Sequence, residues 1–263
     1  MYQEERLVKI LEHLKRHETV SNQEICEWLG ISRDTARRDF IKLVKEGAAI
    51  RTHGGIALPR LKEEIKIYKE RLTTASKQKL AIAKTAASHV GKRDLCFLDV
   101  STTVRFLCEE IKEEISVYTH SLDNAEALSV NNEIDVHLLG GKLHKENRFF
   151  YDMTTASQLN ELHFDKAFFG AAAVMEDGIY FSNREDAFIK QMSAKRAERV
   201  YVLTDAGKFN LTGHYKGLSF QDIDTIIIDR IPPDQYLAIF NEHQIKVEIA
   251  GRLAAEEEGA NGG

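Results

Sequence analysis

The stretch from Ser21 to Gly55, S-N-Q-E-I-C-E-W-L-G-I-S-R-D-T-A-R-R-D-F-I-K-L-V-K-E-G-A-A-I-R-T-H-G-G, narrows the choice of fold more than any other part of the chain. Ser21 with Glu24 three residues later has the form of a capping box, so a helix starts there. Ile25, Trp28 and Leu29 recur at helical spacing as one apolar stripe, and Gly30 closes the helix. Ser32 can cap a second helix two residues later. In that helix Ala36, Phe40, Leu43 and Val44 are expected inside, while Arg33, Thr35, Arg37, Arg38 and Lys42 are left largely outside. Two helices joined so tightly must cross steeply, and the second then presents its basic first turns outward. That is the geometry a helix needs to enter the major groove of DNA.

Arginine suits that place because its planar fork can bond both acceptors on a guanine edge and can also neutralise a phosphate. Arg33, Thr35 and Arg38 are the candidates for base edges, and Ser32, Arg37, Arg51 and His53 for phosphates. Arg51-Thr52-His53-Gly54-Gly55 reads as the tip of a wing, a hairpin whose glycines permit left-handed turns. The competing reading is a solvated basic helix in an ordinary bundle, but cap, turn, apolar stripe and wing agree. Asp34, Asp39 and Glu46 are expected as structural partners or caps.

At 263 residues the chain is too long for this module alone, and 43% hydrophobic residues suffice for a second core. No stretch has the length of a membrane span and the N-terminus lacks a signal-peptide apolar segment, which implies a cytoplasmic protein. Cys26, Cys96 and Cys108 have no metal-like spacing, are odd in number, and sit in apolar contexts, so buried thiols are expected. The net charge of −5 averages unlike parts: residues 1–58 hold ten basic and nine acidic residues, +1, which leaves −6 for the remainder. Residues 31–51 hold six basic and three acidic residues, a local +3 on the proposed reading helix and wing.

A first amphipathic helix over 4–16 puts Leu7, Ile10, Leu11 and Leu14 on one face to complete a three-helix core. Pro59 marks a boundary. Residues 60–72 are charged and helical in propensity, with Leu61, Ile65, Tyr68 and Leu72 in one stripe; a connecting helix, a dimer contact and a solvated linker all fit. The division expected is a winged helix-turn-helix domain over 1–58, a linker helix over 59–76, an α/β domain over 77–251 and a disordered tail over 252–263. Within the α/β domain, strands fall near 95–99, 116–119, 135–139, 166–169, 200–203 and 225–228. Helices fall over 78–90, 103–114, 122–130, 154–162, 185–197 and 234–242. This rhythm implies right-handed crossovers and a mainly parallel sheet covered on both faces.

In open α/β sheets the ligand lies at the carboxyl ends of the strands. Polar residues gather there: Asp99, Ser101, Thr102 and Thr103 after the first strand, Thr119, His120 and Ser121 after the second, Gly140 and Gly141 after the third. Asp165 and Gly170 flank the next strand, Glu185 starts a helix, and Asp205 and Lys208 follow a later strand. Hydroxyls and free amides at a helix N-terminus suit a phosphate. Each also has a structural explanation as a cap or a turn residue. His137, His144 and His163 match no compact metal-ligand set, and no dinucleotide fingerprint follows any strand, so no metal or cofactor is expected.

Together, T-A-R-R-D-F, R-T-H-G-G, F-L-D-V-S-T-T, V-Y-T-H-S-L, L-L-G-G-K, D-K-A-F-F-G, E-D-A-F-I-K-Q-M and L-T-D-A-G-K-F make the chain, from about residue 4 to 250, resemble the DeoR family of bacterial transcriptional regulators. The resemblance implies a sensor domain related in fold to ribose-5-phosphate isomerase and CoA-transferase-like domains, and a repressor of sugar-catabolic genes that senses a phosphorylated sugar. It carries Asp99, Ser101, Thr102, Thr103, Thr119, Ser121, Glu185, Asp205 and Lys208 onto the family's pocket motifs. Two positions depart: Ser101 stands where the family usually has glycine, and T-N-S reads T-H-S here, with His120 in the middle.

The expected partners are double-stranded operator DNA, a phosphorylated sugar effector and at least one further copy of the chain, with no membrane. A sugar-phosphate isomerase with an appended DNA module is the rival. The isomerase's acidic D-G-A-D-E-like loop and Gly-rich lysine turn are here F-F-G-A-A-A and E-D-G-I-Y-F, so the acid/base set for proton transfer is missing and no catalytic residue is expected. An effector-dependent activator is the other alternative, since sign depends on operator position. A redox sensor is disfavoured because the cysteines lack a basic, exposed setting.

Overall fold

The computed structural model describes residues 3–17, 19–45, 48–52, 54–57 and 76–251. His53, the linker stripe over 60–72 and the tail over 252–263 lie outside the described residues. The chain divides into two compact units between Arg71 and Leu72.

In the first unit α1 (Gln3–His17), α2 (Asn22–Leu29) and α3 (Arg33–Lys45) pack with a small antiparallel sheet of β1 (Thr19–Ser21), β2 (Ile50–Thr52) and β3 (Gly55–Ala57). Leu7, Ile10 and Leu14 of α1, Ile25 of α2 and Ala36, Phe40 and Leu43 of α3 form its core, as their spacing predicts. Val44 joins it only as a half-buried residue. The capping box at Ser21 is present: the Ser21 hydroxyl accepts the Glu24 N–H while the Glu24 carboxylate reaches back to the Ser21 N–H. Gly30 ends α2 in left-handed conformation, φ 63°, the region a side chain disfavours. Asp39 is fully buried and accepts from Arg6 at 2.7 Å and Gln3 at 3.1 Å, fixing α1 to α3.

Two expectations in this unit are corrected. Trp28 does not join the apolar stripe; it is 48% exposed and stacks on His13 of α1. Cys26 is only half-buried, its thiol facing the Asn22 side chain, because it lies a helical step off the stripe led by Ile25. Cys96 and Cys108 are buried, and burial pushes both thiols far above their usual range.

The second unit is built on a seven-stranded parallel sheet of β4 (Leu95–Leu98), β5 (Ile115–Thr119), β6 (Ile134–Leu138), β9 (Phe164–Gly170), β12 (Ala197–Thr204), β14 (Thr225–Ile228) and β15 (Lys246–Ile249). Its order is β15-β14-β12-β9-β4-β5-β6. The chain leaves β4 toward β5 and β6, then returns to the other side of β4 as β9 and continues to β15. The winding therefore reverses between β4 and β9. Alternate residues of the strands feed two cores. Cys96, Leu98, Phe168, Leu203 and Ile227 face α4 (Ser76–Ala87), α5 (Thr102–Glu110) and α6 (Leu122–Leu128). Phe97, Phe169, Val202, Ile226 and Ile228 face α8 (Arg184–Ala194) and α9 (Asp234–Glu242). Near-continuous apolar strands such as Thr225–Ile228 are what a sheet buried on both faces requires.

Short antiparallel pieces complete the unit. A hairpin of β7 (Lys142–His144) and β8 (Phe149–Tyr151) precedes α7 (Met153–Asn160). A second sheet holds β10 (Ala173–Met175), β11 (Gly178–Phe181) and β13 (Tyr215–Ser219). None of these was expected from the sequence, nor was β15. Among the described residues no helix is long and apolar enough to cross a membrane.

Candidate functional site

On the first unit, Ser32 caps α3: its Oγ accepts the Thr35 N–H at 3.2 Å and lies 2.9 Å from the Thr35 hydroxyl. Thr35 is half-buried beside this cap, and its hydroxyl is partly committed to the helix start. Arg33, Arg37 and Arg38 stand exposed on the outer face of α3, and Arg51 is exposed on β2 of the wing. Among the described residues none of these four arginines is held in an ion pair. Their guanidinium groups are free to meet an anionic surface, and α3, which carries the first three, is pinned from behind by Phe40, Leu43 and the buried Asp39.

On the second unit, the winding reverses where Asp99 follows β4 and Gly170 ends β9. Asp99 bridges the two: its N–H donates to the Phe168 carbonyl at 3.1 Å, and its Oδ2 accepts the Gly170 N–H at 3.0 Å. Crevices at such reversal points are where open α/β sheets hold ligands. Ser101 caps α5 by accepting the Thr103 N–H at 3.2 Å. The remaining first-turn amides, from Thr102 onward, have no acceptor within the helix. Gly170 is required for this approach, because a Cβ there would lie 2.1 Å from the Ser101 Oγ.

A buried charge cluster lies behind these residues. Lys190 of α8, with a side chain 2% exposed, reaches Asp99 Oδ2 at 2.9 Å and Asp186 Oδ2 at 3.0 Å. The His120 Nε2 lies 3.0 Å from Asp186 Oδ1. The Lys190 ammonium also sits 3.9 Å over the Phe181 ring. Burial raises the Asp99 pKa above the ordinary carboxylate range, outweighing the attraction of Lys190. For Asp186 burial acts the same way, but Lys190 and His120 outweigh it and hold its pKa low. For Lys190 burial opposes the charge, yet the two carboxylates hold its pKa above the ordinary value.

The remaining residues of the expected pocket divide. Thr119 and Ser121 are buried at the end of β5 and serve the fold. The Thr119 hydroxyl donates to the Leu98 carbonyl at 2.6 Å and accepts the Ser121 N–H, and Ser121 caps α6 through the Asn124 N–H. His120 is wholly buried, stacked on Phe97 and edge-on to Phe149 of the β7–β8 hairpin. Gly140 and Gly141 follow β6, where Gly141 at φ 124° brings its backbone against the Tyr151 carbonyl to close that hairpin. Asp205 caps the 3-10 turn Ala206–Asn210 by accepting the Gly207 N–H, and Lys208 lies half-buried in that turn.

Two positions are corrected. Asp165 sits at the start of β9, at the opposite end of the sheet from Gly170, where its Oδ2 accepts the Leu95 N–H at 2.7 Å; five residues of strand, about 16 Å, separate it from the reversal point. Glu185 is exposed, because the helical phase turns its neighbour Asp186 inward instead. Among the described residues no group of three or more metal-ligating side chains converges. His137 stacks on Tyr118 and His144 on Phe149.

Residues 74–230 match the model of the DeoR C terminal sensor domain, and residues 6–61 match that of the DeoR-like helix-turn-helix domain. The chain belongs to the DeoR family. It is 38% identical over 250 residues to the HTH-type transcriptional repressor GlcR of Bacillus subtilis (strain 168), covering 95% of this chain and 97% of that protein. It is 33% identical over 248 residues to the lactose phosphotransferase system repressor of Lactococcus lactis subsp. lactis, covering 92% and 97%. A solved ribose 5 phosphate isomerase A from Neisseria gonorrhoeae overlaps 50% of this chain and 52% of its own, with 17% identity and a TM-score of 0.38.

In this DeoR-family chain, reasoning from sequence missed Asp186, Lys190 and Asn124 at the reversal point. A signal was present for the first two. They are spaced i, i+4 on the face of α8 that carries Ala187, Ile189 and Ala194, and charges on an apolar face must find partners. Asn124 gave no such signal, because an Asn near a helix start reads as an ordinary capping neighbour.

Proposed function

We propose that this protein is a sequence-specific DNA-binding repressor of sugar-catabolic genes, released from its operator by a phosphorylated sugar. One observation carries the reading: the reversal point of the sensor sheet places a capped helix start with free amides beside a buried carboxylate. The two ends of such a crevice suit the two ends of a sugar phosphate. The free amide at Thr102 suits the phosphate, and Lys208 is assigned to the same anion. Asp99 and Asp186 would repel a phosphate and suit sugar hydroxyls instead. The repressor names of the relatives support a regulator rather than an enzyme.

On DNA, Arg33, Thr35 and Arg38 are assigned to base edges, and Ser32, Arg37, Arg51 and His53 to phosphates. One winged helix covers too little DNA for tight specific binding, so at least a dimer is required. Effector binding would favour an arrangement of the paired reading helices that no longer fits successive major grooves. The test is release. Labelled operator bound to the full chain is titrated with sugar phosphates and their unphosphorylated parents while fluorescence anisotropy is followed. Loss of binding with one phosphorylated sugar and not its parent is expected; retention with every sugar phosphate tested would refute effector release. Thr102→Pro should keep operator affinity and lose release, because proline removes an amide of the helix start.

A further inference from the structure

Ile41 breaks the pattern of α3. It is 52% exposed and lies outside the core that Ala36, Phe40 and Leu43 of the same helix enter. A β-branched residue is a modest helix former, and an exposed one buries little, so stability does not account for it. Single exposed apolar residues are common on protein surfaces, so its position decides its meaning. At about 100° per residue, the buried Ala36, Asp39, Phe40 and Leu43 centre on one side of α3, and Ile41 projects about 30° from the opposite direction. Asp34 and Lys45 lie about 10° from that outermost direction, and Arg38 about 30° on its other side.

This outermost strip differs from its flanks. Asp34 and, two turns on, Ile41 run along it, while the cations Arg37 and Lys42 stand about 70° to either side. A helix lying in the major groove turns its flanks to the two phosphate walls and its outermost strip to the base edges. Cations on the flanks suit the walls. The Asp34 carboxylate would be repelled by a phosphate, and the Ile41 side chain has no group to offer one. Both therefore belong over the groove floor. The apolar group that floor presents is the C5 methyl of thymine.

We propose that Ile41 is a specificity-determining residue of the reading helix, its side chain packed on the C5 methyl of a thymine in each half-site. This rests on the DNA-binding reading above and deepens it, adding an apolar contact to the hydrogen bonds assigned to Arg33, Thr35 and Arg38. Ile41 stands about 4.5 Å further along the helix axis than Arg38. Base pairs are spaced about 3.4 Å apart, so the thymine lies within about two pairs of the base that Arg38 meets. The contact selects thymine over cytosine at that place, which no arginine of the helix does, because cytosine presents an amino donor and no methyl.

The test removes the methyl before it alters the protein. The full chain selects its sites from a library of random duplexes, and the selected consensus is remade with each thymine in turn replaced by deoxyuridine, which lacks only the methyl. Binding is followed by fluorescence anisotropy. At one thymine per half-site, uracil is expected to weaken binding about fourfold, as loss of one buried methyl does. In Ile41→Ala the same exchange is expected to change nothing, and Ile41→Val, which keeps a β-branched apolar surface, should retain most of the sensitivity. A consensus without thymine, uracil tolerated at every thymine, or a uracil penalty as large in Ile41→Ala as in the parent would overturn the assignment and leave the DNA-binding reading standing. Failure to enrich any duplex would overturn both.

Discussion

Replacing Lys190 by Met tests the charge balance of the sensor core. The methionine fills a similar volume but leaves Asp99 and Asp186 facing each other without the ammonium that lies 2.9 and 3.0 Å from them. Removing one partner of a buried ion pair costs about 3–5 kcal/mol, because the remaining charge has neither water nor counter-ion. Against a total stability of about 5–15 kcal/mol for a domain, that leaves the sensor unit marginal. At about 2–4 °C per kcal/mol for a domain of this size class, the melting temperature falls by about 6–20 °C. Asp99→Asn should behave oppositely. It replaces a carboxyl whose charge burial disfavours with a neutral amide of the same shape, so the single variant is expected to melt near the parent, and Lys190→Met/Asp99→Asn should recover at least half of the loss.

The pH dependence follows from the direction of the Asp99 shift. Its folded pKa is raised by burial, so the stability it contributes is complete below the unfolded pKa and is lost as pH rises through the folded one. The parent sensor unit therefore loses stability as pH rises from the ordinary carboxylate range through the raised folded pKa, and Asp99→Asn flattens that slope. Scanning calorimetry of the full chain between pH 5 and 9, following the sensor transition, reads both effects. A Lys190→Met chain that melts within about 1 °C of the parent, or an Asp99→Asn chain as damaged as Lys190→Met, would show that the cluster is not electrostatically strained.

Arg38→Ala should weaken operator binding by about 1–3 kcal/mol and relax the base preference at one position; binding measured against a library of single-base operator variants shows whether it does. Arg37→Ala should weaken all sequences about equally and reduce the slope of log affinity against log salt by about 1, a change seen by titrating at several salt concentrations. An unchanged slope would place Arg37 off the phosphates.

The reading helix, the wing and the parallel sheet were legible because each rests on a local pattern. Apolar residues at helical spacing in α3 and unbroken apolar runs such as Thr225–Ile228 specify their elements without knowledge of what packs on them. The three-residue strands Lys142–His144 and Ala173–Met175 were not legible, since so short a run carries no period and is made a strand by its partner. The same division holds at the site. Asp99, Ser101 and Gly170 could be placed at strand ends by topology alone. Asp186 and Lys190 could not, because their role depends on the phase of α8 against the sheet, which also turns Glu185 outward. Asp165 was misplaced for a simpler reason: it stands at the beginning of β9, whereas only residues at and beyond the carboxyl end of a parallel strand, as Gly170 is, reach the reversal point.

Ser101 and Gly170 meet at the reversal point, and they give a last test. A serine after the Asp99 strand crowds the facing strand end; the nearest atoms to a Cβ at position 170 would be Ser101 Oγ at 2.1 Å and Ser101 Cβ at 2.5 Å, and then Ser101 Cα at 3.8 Å. The conflict thus lies wholly with the serine side chain. The backbone of Gly170 has no positive φ, so alanine is excluded by contact and not by conformation. Gly170→Ala alone should overpack the site and cost about 1–3 kcal/mol. Ser101→Gly alone should cost only a few tenths of a kcal/mol, about the difference between serine and glycine as a helix cap. In the double variant the added methyl meets only the Cα at an ordinary contact distance, so Gly170→Ala should become nearly neutral. Urea unfolding of the four chains closes the cycle. If Gly170→Ala costs the same in the parent and in the Ser101→Gly background, the close approach of β9 to the start of α5 does not depend on the Ser101 side chain, and the geometry assigned to the reversal point is wrong there.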